Sequence, residues 1–362
     1  MLLLARRAGP AWRRQHAQPL SPGRQAACGA AGDRRRARSA ATASPPGPPP
    51  PPPSSSFDLA AAQAAATARP PRFYTSQPLA HLGTGACLTL DAEESRHASR
   101  ALRLREGAGV EVCDGGGCVA AAVVVSGGGG GGGGGARGGT PPLISISLTA
   151  SPALIPWAGP AWVVAVGAGG GLSRGGRDDW LVEKCVELGA AGVWPLGTAR
   201  APWGEADKAK GGDGGGGAAA GAAPAGPTAV PPGIPARWER VARAAVKQSL
   251  RAHGLGWRAP ARVDERVVLE SVAAAPLALV AAAGAPPLAV VLADARRGGW
   301  TAEGDEDGTR PPSLLFVGPE GDFTGAEVAG LVAAGARLVG LGPHRLRVET
   351  AAVAGLAAVM LL

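Results

Sequence analysis

Cysteine is scarce here and poorly spaced for metal binding or cross-linking. The chain has five, Cys28, Cys87, Cys113, Cys118 and Cys185. The count is odd, none stand at CxxC spacing, and no histidine cluster accompanies them. That argues against a disulfide framework and a zinc site, and reads as reduced, mostly buried thiols with no metal. A long apolar run is also missing from the amino terminus. Met1 to Leu4 is too short for a secretory h-region or a membrane span. Neither a Ser/His/Asp arrangement nor a Walker loop is present. The Gly127–Gly135 run leads into no helix and no Lys-Ser/Thr pair, so it reads as a flexible insertion in a hairpin. Net charge is missing from the body of the chain as well. The whole formal charge of +8 sits in residues 1–56, with nine arginines, no lysine and one acid, Asp33; the remainder balances 27 basic against 27 acidic residues. Bulk charge therefore identifies no partner.

What the first 56 residues do have is arginine, alanine and serine with almost no acid, the composition of a transit peptide. Import into an organelle is the expectation, with a chloroplast preferred over a mitochondrion. A linker over 57–71, containing an Ala-rich stretch, follows the proline run Pro45–Pro53. From Arg72 to about Ala150, short β-type runs (Cys87–Leu90, Val110–Asp114, Val119–Ser126, Leu143–Leu148) surround one helix. Asp91 and Glu94 have the spacing of a capping box for that helix, which runs on through Leu104. This predicts a small β-barrel over 72–150 with a Gly-rich insert at 126–139.

Over 151–362 the pattern changes to alternating strand and helix, an α/β domain with a mostly parallel sheet. Ala161–Val166 is an unbroken apolar run suited to a strand buried on both faces. Asp178–Leu188 reads as a helix with Trp180, Leu181, Cys185 and Leu188 on one face. Val193–Leu196 is a strand and Arg237–Ala252 a helix. Apolar runs at Leu277–Ala281, Leu288–Leu292 and Leu314–Val317 continue the pattern. A helix Gly325–Ala334, a strand Arg337–Leu341 and a helix Val348–Leu362 close it. Low-complexity inserts fall at 204–234 and 303–312.

Two loops leave strands at their carboxyl ends, where parallel sheets collect ligands. One is Gly318-Pro319-Glu320-Gly321-Asp322-Phe323-Thr324; the other is Gly342-Pro343-His344-Arg345-Leu346-Arg347-Val348-Glu349-Thr350. Thr324 and Glu327 form a second capping-box pattern. On physical grounds alone the two loops are as compatible with plain tight turns as with a ligand site.

At these loops the chain resembles a known family. "LLFVGPEGDFTGAEV" and "LVGLGPHRLRVETAA" are similar to the carboxyl-terminal signature of the bacterial RsmE-type methyltransferases of the SPOUT superfamily, which modify N3 of a uridine in 16S rRNA. "RGGRDDWLVEKCVELGAAGVWPL", "RWERVARAAVKQSLR", "RFY", "HASRALRLREG" and "CDGGG" extend the resemblance across residues 72–362 outside the inserts. It implies a PUA-like β-barrel followed by a SPOUT domain with a deep trefoil knot, and a homodimer with each site near the subunit interface. It also implies S-adenosylmethionine, held mainly by backbone around Leu292, Val317, Gly318, Pro319, Glu320, Gly321, Leu341, Gly342, Pro343 and Leu346, with Thr350 supporting the loop. The family usually has arginine at His344, a small aliphatic at Arg345, glycine at Asp322 and an acid at Gly176.

Given that resemblance, Arg347 is expected to stabilise charge on the uracil, and Glu349 to orient Arg347 or accept the N3 proton. Glu320 is expected to hold its loop. Contacts to ribosomal RNA are expected from Arg72, Tyr74, Arg100, Arg103 and Arg105 on the barrel, and from Arg177, Lys184, Arg200 and Lys247 on the α/β domain. Two other readings stay open: a SPOUT enzyme acting on another rRNA or tRNA base, and a non-catalytic RNA-binding assembly factor.

Overall fold

The computed structural model describes residues 69–126, 143–157, 159–167, 176–202, 230–231, 233–301 and 310–361. The expected leader, the Gly127–Gly135 run and most of both low-complexity inserts lie outside the described residues.

The amino-terminal sheet contains β1 (Arg72–Tyr74), β2 (Cys87–Thr89), β3 (Gly109–Cys113), β4 (Cys118–Ser126), β5 (Ser145–Leu148) and β6 (Ala153–Leu154). Its ladder runs β1-β3-β4-β5-β2, with β6 on β4. β1 and β3 are parallel and the other pairs antiparallel. Along β4 the even-numbered residues Cys118, Ala120, Ala122 and Val124 are buried, the period-two alternation of a strand with one face in the core. They pack with Phe73, Leu79, Val112, Ile144 and Ile146. β1 and β2 end the ladder and do not pair with each other among the described residues. The expected helix is shorter than the pattern suggested. Helix α1 (Ala92–Arg96) gives way to a π-helical turn, His97–Ala101. Asp91 caps it by accepting from the N–H groups of Glu93 and Glu94 at 2.9 and 2.8 Å. The reciprocal half of the capping box is absent because the Glu94 carboxylate is engaged by Lys247.

The carboxyl-terminal sheet is fully parallel. It contains β7 (Trp162–Gly167), β8 (Gly192–Gly197), β9 (Gly256–Trp257), β10 (Ala261–Arg262), β11 (Ala278–Ala281), β12 (Ser313–Val317) and β13 (Arg337–Val339), in the order β10-β8-β7-β12-β11-β13 with β9 on β8. Helices α2 (Arg177–Glu187), α3 (Ala236–Gln248), α5 (Leu288–Arg297) and α7 (Val348–Leu361) share one core with Trp162, Val164, Val166, Leu315 and Val317. Helices α4 (Arg266–Ala274) and α6 (Gly325–Ala333) share the other with Val163, Ala165, Leu314 and Phe316. Neighbouring strand residues thus serve opposite faces, which is why these strands read as unbroken apolar runs.

The structure corrects the buried face of α2 and adds two helices to the pattern. Leu288–Leu292 is the start of helix α5, and Leu292 is a 2 % exposed core residue on it. Helix α4 had gone unread. On α2 the buried stripe is Asp178, Leu181, Val182, Cys185 and Val186, while Trp180 is 41 % exposed.

Candidate functional site

The strand order places a topological switch between β7 and β12. From β7 the chain continues to β8 on one side, and from β12 it continues to β13 on the other. Parallel sheets open a ligand site at the carboxyl ends of such strands. Here the two ends are in close contact. A Cβ on Gly167, the last residue of β7, would lie 2.6 Å from Pro319 Cδ and 2.7 Å from its nitrogen. Only glycine lets the loop after β12 approach this closely.

That loop is tightly built. Asp322 N–H donates to the Pro319 carbonyl at 2.7 Å, and Phe323 buries its ring at 5 % exposure. Asp322 has φ 63°, the left-handed region that favours glycine and that Asp and Asn tolerate best among other residues. Its Oδ1 accepts from Phe323 N–H at 2.8 Å. Thr324 and Glu327 complete the expected capping box of α6: Thr324 N–H and hydroxyl donate to Glu327 Oε2 at 2.7 and 2.9 Å, and Glu327 N–H donates to Thr324 Oγ1 at 3.3 Å. Glu327 Oε1 also accepts from Ala199 N–H at 2.8 Å, tying in the loop after β8.

Three arginines fasten the loop. Arg200 donates to the Gly321 carbonyl, and Arg345 of the second loop donates to the Glu320 carbonyl at 2.6 Å. Arg177 pairs with the Glu320 carboxylate at 3.8 Å. The two glycine-proline loops are therefore directly bonded. The second loop spends little of its own backbone. Gly342 has φ 116° with open space where a Cβ would point, and the N–H groups of Gly342, His344, Arg345 and Leu346 make no hydrogen bond among the described residues. Gly342, Pro343, Glu320 and Gly321 are exposed and Leu341 and Leu346 half-buried. Free peptide donors and acceptors beside a glycine that leaves room are what a backbone-recognised ligand requires.

Arg347 is exposed and makes no hydrogen bond or ion pair among the described residues. Glu349 is 7 % exposed in the first turn of α7, and Thr350 beside it is exposed. No ion pair joins Arg347 to Glu349, so the expected orienting role is not made by direct contact. Sequence reasoning missed Asp178. It is 6 % exposed at the start of α2, and its Oδ1 finds no partner among the described residues. Burial raises its carboxyl to about 7, helped by the negative charges of Asp179, Glu349 and Glu320 and opposed by Arg177. The signal was available: Asp178 stands three, four and seven residues before Leu181, Val182 and Cys185, on the apolar stripe of its helix.

The expected RNA contacts divide. Arg100, Arg103 and Arg105 are exposed on and after the π-helical turn. Arg72 and Tyr74 are instead inside the molecule. Arg72 pairs with Glu111 at 2.6 Å and donates to the Arg251 carbonyl at 3.1 Å. Tyr74 is 5 % exposed under the Arg243 guanidinium, and burial pushes its hydroxyl up to about 12. Lys247 is committed to Glu94 at 2.5 Å, and Lys184 to Glu183 and Glu187 at 2.7 and 2.8 Å. For Lys247 the partner carboxylate is buried, and a cation so compensated has little to offer a phosphate. Arg177 and Arg200 are tied to the first loop, as above.

Comparison with known proteins bears on this geometry. A family model described as an RNA methyltransferase domain matches residues 234–360, which include both loops. Residues 234–360 are thus similar to an RNA methyltransferase domain. Over 284 residues it is 29 % identical to the ribosomal RNA small subunit methyltransferase E of Mycobacterium bovis, covering 77 % of this chain and 88 % of that one, with the same figures for the Mycobacterium tuberculosis protein. Among solved structures, the methyltransferase E of Neisseria gonorrhoeae bound to S-adenosyl methionine is 20 % identical with a TM-score of 0.54, covering 80 % of this chain and 96 % of that one. A Legionella pneumophila protein solved with SAM as bound cofactor is 21 % identical with a TM-score of 0.55, covering 80 % and 97 %. The resemblance and the enzyme class read from the sequence are borne out. The matched residues include the Asp322 and Arg345 departures; Asp322 shapes the first loop and Arg345 of the second loop bonds to it.

Proposed function

We propose that this protein transfers the methyl group of S-adenosylmethionine to N3 of a uridine in small-subunit ribosomal RNA of an organelle. The observation that carries the reading is the pair of glycine-proline loops bonded at the β7/β12 switch, with unspent peptide N–H groups on one and the unpaired Arg347 beside them. Gly342 and the half-buried Leu341 and Leu346 supply backbone and apolar surface suited to a nucleoside. A sulfonium is already an activated methyl donor, so orientation and charge placement suffice. N3 lies on the pairing edge of uracil, so the target enters unpaired or flipped. Arg347 then meets a carbonyl that gains negative charge as the N3 proton leaves.

Arg100, Arg103 and Arg105 supply local positive charge for the RNA backbone. A homodimer with each site near the subunit interface is part of this reading. The path of α7 supports a knotted carboxyl terminus: it leaves edge strand β13 and returns across the sheet to pack on β7, β12 and α2. The arginine-rich leader supports import, with a chloroplast preferred. The test has two parts. The full chain should bind S-adenosylmethionine saturably in a calorimetric titration. Mass mapping of organellar small-subunit rRNA from a knockout should lose one N3-methyluridine. Saturable binding with an intact map redirects the activity to another base; no binding leaves an assembly factor.

A further inference from the structure

Methylation of a ring nitrogen that carries a hydrogen needs somewhere for the proton to go. Glu349 and Asp178 are both buried acids in the first turn of a helix, α7 and α2 respectively. Asp178 differs. It is 6 % exposed, its Oδ1 has no partner among the described residues, and a buried unsatisfied oxygen in a folded protein calls for an explanation. Its helix begins at the edge where both loops meet, and its neighbour Arg177 pairs with Glu320 of the first loop. Resting on the methyltransferase reading above, we infer that Asp178 is the base that accepts the N3 proton.

The N3–H bond breaks and its proton passes to the Asp178 carboxylate. The electron pair left on N3 forms the new bond to the methyl carbon, and the sulfur–methyl bond breaks with its pair returning to sulfur. A sulfonium cation and a carboxylate become a neutral thioether and a carboxylic acid, so atoms and charge balance. The groups facing Asp178 are Arg177 and Asp179 on its own helix, Glu320 on the loop after β12 and Glu349 on α7; Arg237 of α3 pairs with Asp179. Burial and the three acids hold the carboxyl near 7, close to where a general base works best at neutral pH. Glu320 and Glu349 act through Asp178 in this scheme, as positioning and tuning residues.

The test measures transfer from tritium-labelled S-adenosylmethionine to small ribosomal subunits of a bacterial strain deleted for the matching enzyme, from pH 5.5 to 9. In the full chain kcat should rise with pH and level off above about 7. Asp178→Asn should lower kcat by about 100-fold and flatten that limb, with saturable donor binding retained. Asp179→Asn removes a like charge next to Asp178 and should move the limb to lower pH. If Asp178→Asn does not fold, the Asp179→Asn limb decides: a downward move supports the inference and an unmoved limb overturns it. Parental kcat and pH profile in Asp178→Asn, with donor binding intact, overturn this inference alone. Failure of the unsubstituted chain to take up the donor overturns the methyltransferase reading and this inference with it.

Discussion

Asp322 and Arg345 are two of the four positions, with His344 and Gly176, where the sequence departs from the pattern of the family it resembles, and these two have a physical use. Asp at φ 63° avoids part of the left-handed cost because its side chain bonds the next peptide N–H, which a β-branched residue would not do. Arg345 adds a bond between loops that a small aliphatic would lack. Arg347 is the opposite case, a guanidinium with no hydrogen bond or ion pair among the described residues. Arg347→Ala should therefore lower kcat by about 100-fold or more while leaving donor affinity unchanged, as measured by single-turnover assay beside calorimetry. Parental turnover would end its assigned role. Asp178 gives a prediction that needs no substrate. Its folded-state carboxyl is raised to about 7, above the ordinary aspartate range, so its contribution to stability is fully present in acid and is lost as pH climbs from about 4 to 7. Relative to the parent, Asp178→Asn should gain stability at pH 8 that it does not gain at pH 4.5, read from urea midpoints. A pH-independent difference would mean the carboxyl titrates normally.

Among the elements, α6 and its cap show how a local motif becomes a tertiary one. Thr324→Ala removes one capping acceptor and should cost about 1 kcal/mol. Glu327→Ala also strands the Ala199 N–H and detaches the loop after β8, so it should cost about 2–3 kcal/mol. Equal losses in chemical denaturation would show that the tie to Ala199 carries no weight. The Thr324–Glu327 box was legible because its partners are three residues apart. The Asp91–Glu94 pattern has the same spacing and half fails, because a cation 153 residues away competes for Glu94. Parallel strands were legible as apolar runs, yet Leu288–Leu292 has the same composition and is helical: five apolar residues do not define a period, and only the carboxyl-terminal turns of α5 with Asp294, Arg296 and Arg297 do. The glycine-proline loops could be located from sequence, but not the approach of Gly167 to Pro319, which depends on the strand order.

At the scale of the whole molecule, some of the basic side chains join the two sheets. Arg72, Tyr74 and Lys247 all read as basic or aromatic positions for a nucleic acid, and all three sit in the junction between the amino-terminal sheet and the carboxyl-terminal sheet with its helices. Arg251 anchors it by donating to the Val186 and Ala190 carbonyls at 3.1 and 2.7 Å while its own carbonyl accepts from Arg72. Gly254 N–H donates to the Gly115 carbonyl at 2.8 Å across the same seam. The pair with most at stake is Lys247 with Glu94, whose side chains are 17 % and 7 % exposed. Burial already raises the Glu94 carboxyl, and the Lys247 ammonium pulls it back down. Lys247→Met leaves that carboxylate buried without compensation and should cost about 3 kcal/mol near neutral pH. The sign of the pH dependence follows. With its folded-state value raised further, Glu94 favours folding below the ordinary carboxylate range and opposes it as pH rises, so the loss should be larger at pH 8 than at pH 5. Glu94→Gln combined with Lys247→Met should recover much of it, since both charges are then gone. Denaturant titrations of the three variants at both pH values decide the matter. A Lys247→Met chain as stable as its parent, but weaker for RNA with a shallower salt dependence, would return Lys247 to the RNA-binding surface.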